Sequence, residues 1–179
     1  MALTIALDPI KIPSMYLPGV YYRFCEIPIV AAFLLFGHKI GVAVAILNVP
    51  AEILLFPGPA VFITAPFVLM LSLCMLLGIH LASKLLKRKA SQNEDRGARA
   101  VTYYTAFGAL TRTAMAPLVL FPLYRFLLAL MWMSLSDTEV FAMMPFLMLY
   151  AFTFSLYTIP IGYLIARMAS RNLKVGNRL

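Results

Sequence analysis

Long apolar runs, broken by short polar or proline-rich stretches, set the pattern of this chain. Over residues 26–56 two apolar segments, 27–36 and 40–55, meet at Gly37-His38-Lys39-Ile40-Gly41. An α-helix rises about 1.5 Å per residue and a bilayer core is about 30 Å thick, so about 20 residues are needed to cross it. The first segment is too short to cross without its polar ends, and the second barely suffices. Three longer runs follow at 61–83, 101–133 and 140–166, the first of them entered through the turn Phe56-Pro57-Gly58-Pro59. Polar stretches 84–100 and 134–139 separate these runs, and a basic tail, 167–179, ends the chain. At the other end, MALTIAL (1–7) is apolar but too short to span. Residues 8–25 carry three prolines and three tyrosines, which rule out a long helix and predict an ordered surface loop at the membrane interface. Those tyrosines form an interfacial belt or close over a flat ligand. The pattern predicts an all-α integral membrane protein: a single domain, 1–179, forming a compact bundle of five clear membrane helices plus a short or truncated first helix.

Composition reinforces that reading. Of 179 residues, 63% are hydrophobic and 12% charged, far from the balance of soluble domains. The formal net charge of +8 does not indicate nucleic acid, because the charges sit in short flanks between apolar runs. With alternate loops on opposite sides, eleven of the fifteen Lys and Arg residues fall on one side, from Lys39 through the 84–99 cluster to Arg178. Only Lys11 and Arg23 lie clearly on the other. The rule that cytoplasmic loops are positive then predicts a cytoplasmic 84–100 loop and C-terminus in a multi-pass protein of the cell membrane. Cys25 and Cys74 form no disulfide framework. An early Asp8-Pro9 and Lys11 argue against a cleavable signal peptide.

A few polar groups lie where an apolar run should exclude them. Arg112 is eleven positions beyond Val101, about 16 Å into its helix and near mid-bilayer. A guanidinium there needs a partner. Either Glu52 or a carbonyl freed by a proline supplies it, or Arg112 contacts a ligand. Asn48 and Glu52 are four apart and share a helix face, with Pro50 between them freeing a backbone carbonyl. Glu26 opens its helix, where a carboxylate is favoured by the helix dipole with or without a ligand. Ala2 and Ala6 have the small-xxx-small spacing that permits close helix approach. His38 and His80 are too far apart in sequence to predict a metal site. The motifs of hydrolases, metalloproteases and ATPases are missing, so no catalytic residue is expected.

In order and spacing, several stretches resemble the substrate-binding S component of energy-coupling factor transporters, most nearly its riboflavin-type members. They are Glu26-Ile27-Pro28 opening a short helix, Gly37 and Gly41 bracketing a turn, TRTAMAPLVLFPLY over 111–124, and Tyr157-Thr158-Ile159-Pro160 before a basic tail. The likeness covers about residues 24–170. It implies six membrane helices, a pocket near the outer face for a vitamin or related small molecule, and no cofactor or ATP hydrolysis. Its partners would be a transmembrane coupling protein and two cytoplasmic ATPases, with Ala2 and Ala6 as docking residues. Pocket residues would come from Glu26, Asn48, Glu52, Arg112, Tyr124 and Tyr157, the tyrosines stacking on or capping a heterocycle. The chain departs from the pattern at MALTIAL, where the family has a full first helix. It departs again at Ala116-Pro117, near which riboflavin-type members carry an asparagine. A membrane scaffold subunit without a ligand is the alternative.

Overall fold

The computed structural model describes residues 2–7, 9–14, 21–89, 96–127 and 136–173. Parts of the segments named from sequence therefore lie outside the described residues: 15–20 of the outer loop, 90–95 of the basic loop, 128–135, and 174–179 of the tail. Helices α1 (Ala2–Leu7), α2 (Glu26–Phe36) and α3 (His38–Leu55) are followed by the long α4 (Pro59–Lys89), α5 (Arg96–Pro122) and α6 (Asp137–Leu173). Of these, α3 to α6 are long and apolar enough to cross a membrane, and α2 is a shorter apolar helix. The protein is an all-α bundle of the multi-pass membrane class.

The described part of the 8–25 stretch holds a strand pair. Strands β1 (Lys11–Pro13) and β2 (Tyr21–Arg23) pair antiparallel, with Lys11 opposite Arg23 and Pro13 opposite Tyr21. Proline, which forbids a helix here, is tolerated in so short a ribbon. Side chains of α6 anchor the ribbon. Tyr150 donates its hydroxyl to the Tyr21 carbonyl (2.7 Å), and Tyr157 donates to the Arg23 carbonyl (3.1 Å). Tyr22 and Thr153 join their hydroxyls at 2.9 Å, while the Tyr22 ring stacks on Tyr150 with centroids 4.9 Å apart. Strand carbonyls thus find donors on a helix.

Gly37 turns α2 into α3. Its φ of 92° lies where a side chain would strain the backbone, so the corner needs glycine. From there the long helices alternate in direction. The α2–α3 corner, the end of α4, the start of α5 and the end of α6 gather most of the described basic residues at one end of the bundle. The ribbon, the α3–α4 turn and the start of α6 lie at the other. Close approach of α4 to α5 depends on Gly78, where a Cβ would lie 2.2 Å from Thr111 Oγ1 and 2.5 Å from the Phe107 carbonyl oxygen. The Thr111 hydroxyl reaches the Cys74 carbonyl across this seam at 3.0 Å.

Two apolar clusters fill the interior. One, at the ribbon end, joins α4, α5 and α6 through residues such as Leu71, Leu120, Met144 and Leu147. The other joins α2, α3, α4 and α6 through Val30, Ala45, Met75 and Ile159. Directly after Pro122, α5 gives way to a π-helical turn, Leu123–Leu127, as expected where proline removes a donor from the ladder. Arg125 of this turn pairs with Asp137 at the start of α6. There Ser136 and Glu139 form a reciprocal cap: the Glu139 carboxylate accepts the Ser136 backbone N–H at 2.8 Å, and the Ser136 hydroxyl accepts that of Glu139 at 3.4 Å.

Candidate functional site: a buried charge cluster and its crevice

Between the two apolar clusters the helices carry their polar residues. On α4, Ser72 falls between Leu71 of one cluster and Met75 of the other; on α6, Phe154 falls between Ala151 and Ile159. Arg112 occupies the same level on α5. It is 3% exposed and Glu26 is 2% exposed, so both charges are removed from solvent and must satisfy each other. They meet through two bonds: Nη1 donates to Glu26 Oε2 at 2.5 Å and Nη2 to Oε1 at 3.1 Å. This is the fork geometry that suits arginine to carboxylate. Ser72 donates its hydroxyl to Glu26 Oε1 at 2.9 Å. The guanidinium carbon lies 4.3 Å from the centre of the Phe154 ring, a cation–π contact. Arg112 Nε is buried with no hydrogen-bond partner among the described residues.

Glu52 is not the partner of Arg112. It lies in the last turn of α3, at the ribbon end, and pairs with Arg23 of β2. Glu26, at the first position of α2, is the carboxylate that faces α5. The cluster therefore holds two ion pairs and sums to zero charge.

A narrow crevice opens between α2, α3 and α4, lined by Glu26, Asn48, Glu52 and Ser72 together with apolar residues such as Ile29 and Leu69. Its cavity volume is about 10 Å³, about one water molecule. Asn48 has no hydrogen-bond partner among the described residues, and Arg112 is not among the lining residues. The polar part of the crevice wall is thus carboxylate, hydroxyl and amide groups that accept hydrogen bonds, the amide also donating. Arg112 supports it from behind Glu26.

Of the residues picked from sequence, Glu26, Asn48, Glu52 and Arg112 come together here. Tyr157 stands beside them, 5.2 Å from Phe154 and 5.8 Å from Phe24 by ring centroids. Tyr124 does not join. It lies in the π-helical turn against the apolar cluster at the ribbon end, about 18 Å beyond Arg112 at 1.5 Å per residue. Ala2 and Ala6 are exposed on α1, away from the crevice lining. Arg23, Ser72, Met75 and Phe154 belong to the cluster without having been singled out. Ser72, a hydroxyl inside an apolar run, was the available signal; Phe154 had none. The sequence separation of the histidines misleads as well: the rings of His38 and His80 lie with centroids 5.3 Å apart at the basic end.

Fold and site define a class: a multi-pass helical membrane protein with a charge-neutral polar cluster buried at the ribbon half of its bundle. Compared with known protein families, curated proteins and solved structures, the chain matches none.

Proposed function

We propose that the protein is a substrate-capturing membrane subunit of the energy-coupling factor type. It binds a vitamin or related small molecule from outside and passes it to partner subunits for ATP-driven uptake. The observation that carries this reading is the polar lining of the crevice, which holds about one water as it stands and has to widen to admit a ligand. Glu26, Asn48, Glu52 and Ser72 converge on it from three helices, and polar groups at membrane depth mark a binding path more readily than a plain anchor. On the positive-inside rule the basic end, with the C-terminus, faces the cytoplasm, so the crevice opens toward the outer face. The ligand contacts in this proposal are Glu26, Asn48 and Glu52, with Arg112 holding Glu26 and Tyr157 closing the aromatic side. A riboflavin-like heterocycle has the donors such a wall would accept. Partners are a transmembrane coupling protein and two cytoplasmic ATPases, with Ala2 and Ala6 of α1 at the docking face. The subunit itself catalyses nothing.

Thermal unfolding of the purified protein against a vitamin panel, riboflavin included, tests this directly. A ligand at 100 times its Kd stabilises by about 2.7 kcal/mol, a rise of about 5–11 °C for a chain of this size. Asn48→Ala and Glu52→Gln should reduce that rise. No rise with any vitamin, together with failure to co-purify a coupling protein, would reject the proposal. A ligand-free scaffold subunit is the second reading, favoured by one observation: both Nη atoms of Arg112 are engaged by Glu26, which braces α2 to α5.

A further inference from the structure

The charged residues of the bundle are sorted by end. Every acidic side chain among the described residues, Glu26, Glu52, Asp137 and Glu139, lies in the ribbon half. At the opposite end, on the flank formed by α4, α5 and α6, Lys84, Arg99, Arg167 and Arg171 are exposed. None of them joins an ion pair among the described residues. We propose that this flank is a binding surface for anionic phospholipid, whose headgroup phosphate meets Lys84, Arg99 and Arg167 while its acyl chains lie along the three helices.

Position along each helix is the first argument. Each cation ends a stripe of exposed apolar side chains at helical spacing: Leu77 and Leu81 before Lys84, Leu110 and Tyr103 before Arg99, Leu156 and Leu164 before Arg167 and Arg171. In a membrane such stripes face acyl chains. Lys84 lies about 33 Å along α4 from the exposed Phe62, just past a hydrocarbon core of about 30 Å and so at headgroup depth.

Helix register is the second argument. Along the α4–α5 seam a Cβ on Gly78 would meet the Phe107 carbonyl, and Thr111 bonds the Cys74 carbonyl. That antiparallel register sets Lys84 opposite Val101. Between α5 and α6, a Cβ on Gly108 would lie 2.5 Å from Ile159 Cδ1, and the Tyr104 and Tyr163 rings are 6.1 Å apart. The same step carried on sets Arg99 opposite Met168, beside Arg167. Cations from three helices thus fall within about 3 Å of one depth, and Arg171 lies a turn beyond.

Chemistry selects a lipid over a soluble acidic partner. A soluble partner approaches the end of the bundle, whereas these side chains lie on its side, in line with the acyl-facing stripes. A phospholipid supplies both an anion at that depth and apolar chains along the stripes. The planar forks of Arg99 and Arg167 suit phosphate oxygens, and Lys84 adds a point charge. Tyr103, exposed one turn from Arg99, sits where interfacial aromatic residues gather. None of this depends on what the crevice binds.

The test uses the full-length protein in nonionic detergent, with phosphatidylglycerol, phosphatidylcholine and inorganic phosphate as probes, and reads bound lipid by native mass spectrometry. Phosphatidylglycerol should bind in preference to phosphatidylcholine, and millimolar phosphate should not displace it. Lys84→Gln, Arg99→Gln and Arg167→Gln should each weaken phosphatidylglycerol about fivefold, the effect of one cation near an anionic surface, and leave phosphatidylcholine unchanged. All three positions are exposed, so an unchanged melting temperature without lipid verifies that the variants are folded. Equal binding of the two lipids overturns the proposal. So does a preference that survives the triple substitution, the result expected if these cations meet an acidic protein instead. Displacement by inorganic phosphate also overturns it, because the site would then be one for a free anion.

Discussion

Glu26→Gln removes one charge from the buried pair while keeping the shape of the side chain. Arg112 then remains buried, its two hydrogen bonds to the Glu26 carboxylate (2.5 and 3.1 Å) replaced at best by one to an uncharged amide oxygen. Breaking a buried pair from one side costs about 3–5 kcal/mol. The face of Phe154 still opposes the guanidinium and returns about 0.5–2 kcal/mol, which moves the expected loss to the low end, about 3 kcal/mol. For a chain of this length that is a fall of about 6–12 °C in melting temperature, measured in detergent by scanning fluorimetry or calorimetry. Arg112→Met should cost a similar amount by stranding Glu26, although Ser72 still donates to it. The double variant is decisive. With both charges gone, no buried ion is left uncompensated, and most of the stability should return. Arg112→Lys should fall between, keeping the charge but losing the planar fork. If the two single losses add in the double variant to within about 0.5 kcal/mol, the residues do not interact and the pairing is refuted.

Four further outcomes are expected. Gly78→Ala should destabilise by about 1–3 kcal/mol, read as a lowered melting temperature, because the Phe107 carbonyl 2.5 Å from the new Cβ is backbone and cannot turn aside. Tyr157→Phe should cost about 0.5–1.5 kcal/mol by freeing the Arg23 carbonyl, with faster amide exchange confined to β2. The Ser136 backbone N–H, and then its hydroxyl, hold the Glu139 carboxyl below the usual carboxylate range. This cap therefore stabilises α6 above that range and is lost as pH falls through the lowered value; protection factors in the first turn of α6, exchange corrected for its intrinsic pH dependence, should fall on acidification, and Glu139→Gln should remove that fall. In a background with Cys25 and Cys74 replaced by alanine, a cysteine at Thr138 should react with an impermeant reagent applied to intact cells, and one at Ser91 should not. The reverse pattern would invert the proposed orientation.

The helices were legible because apolar runs and proline-glycine turns are local signals. Gly37 marked its corner for the same reason, since few residues tolerate such a turn. Arg112 was legible as a problem, a charge at a depth where it must be compensated, but its solution was not. Choosing between Glu26 and Glu52 depends on how α2 and α3 rotate against α5, and helix rotation is a property of packing. The same limit hid Phe154, one apolar residue among many on α6, and kept His38 apart from His80. The ribbon escaped notice because its strands are three residues each, too short for alternation to appear. The Ser136–Glu139 cap did have a sequence signature, Ser-x-x-Glu before an apolar run; it was read only as a polar turn.

One feature of α3 bears on how anything reaches the crevice. Only 17% of its spanning window is buried in the bundle, so little apolar contact holds it in place along its length. Its ends are treated differently. The lower end is locked to α2 by the Gly37 corner, whereas the upper end runs through the short turn at 56–58 into α4 and is tied to β2 by the Glu52–Arg23 pair, whose arginine is 23% exposed and within reach of water and salt. This makes α3 a door, hinged at one edge and latched at the other, with Asn48 and Glu52 on its inner panel. Opening it breaks one part-buried ion pair and leaves the Glu26–Arg112 brace intact, so access to the interior costs less than unfolding it.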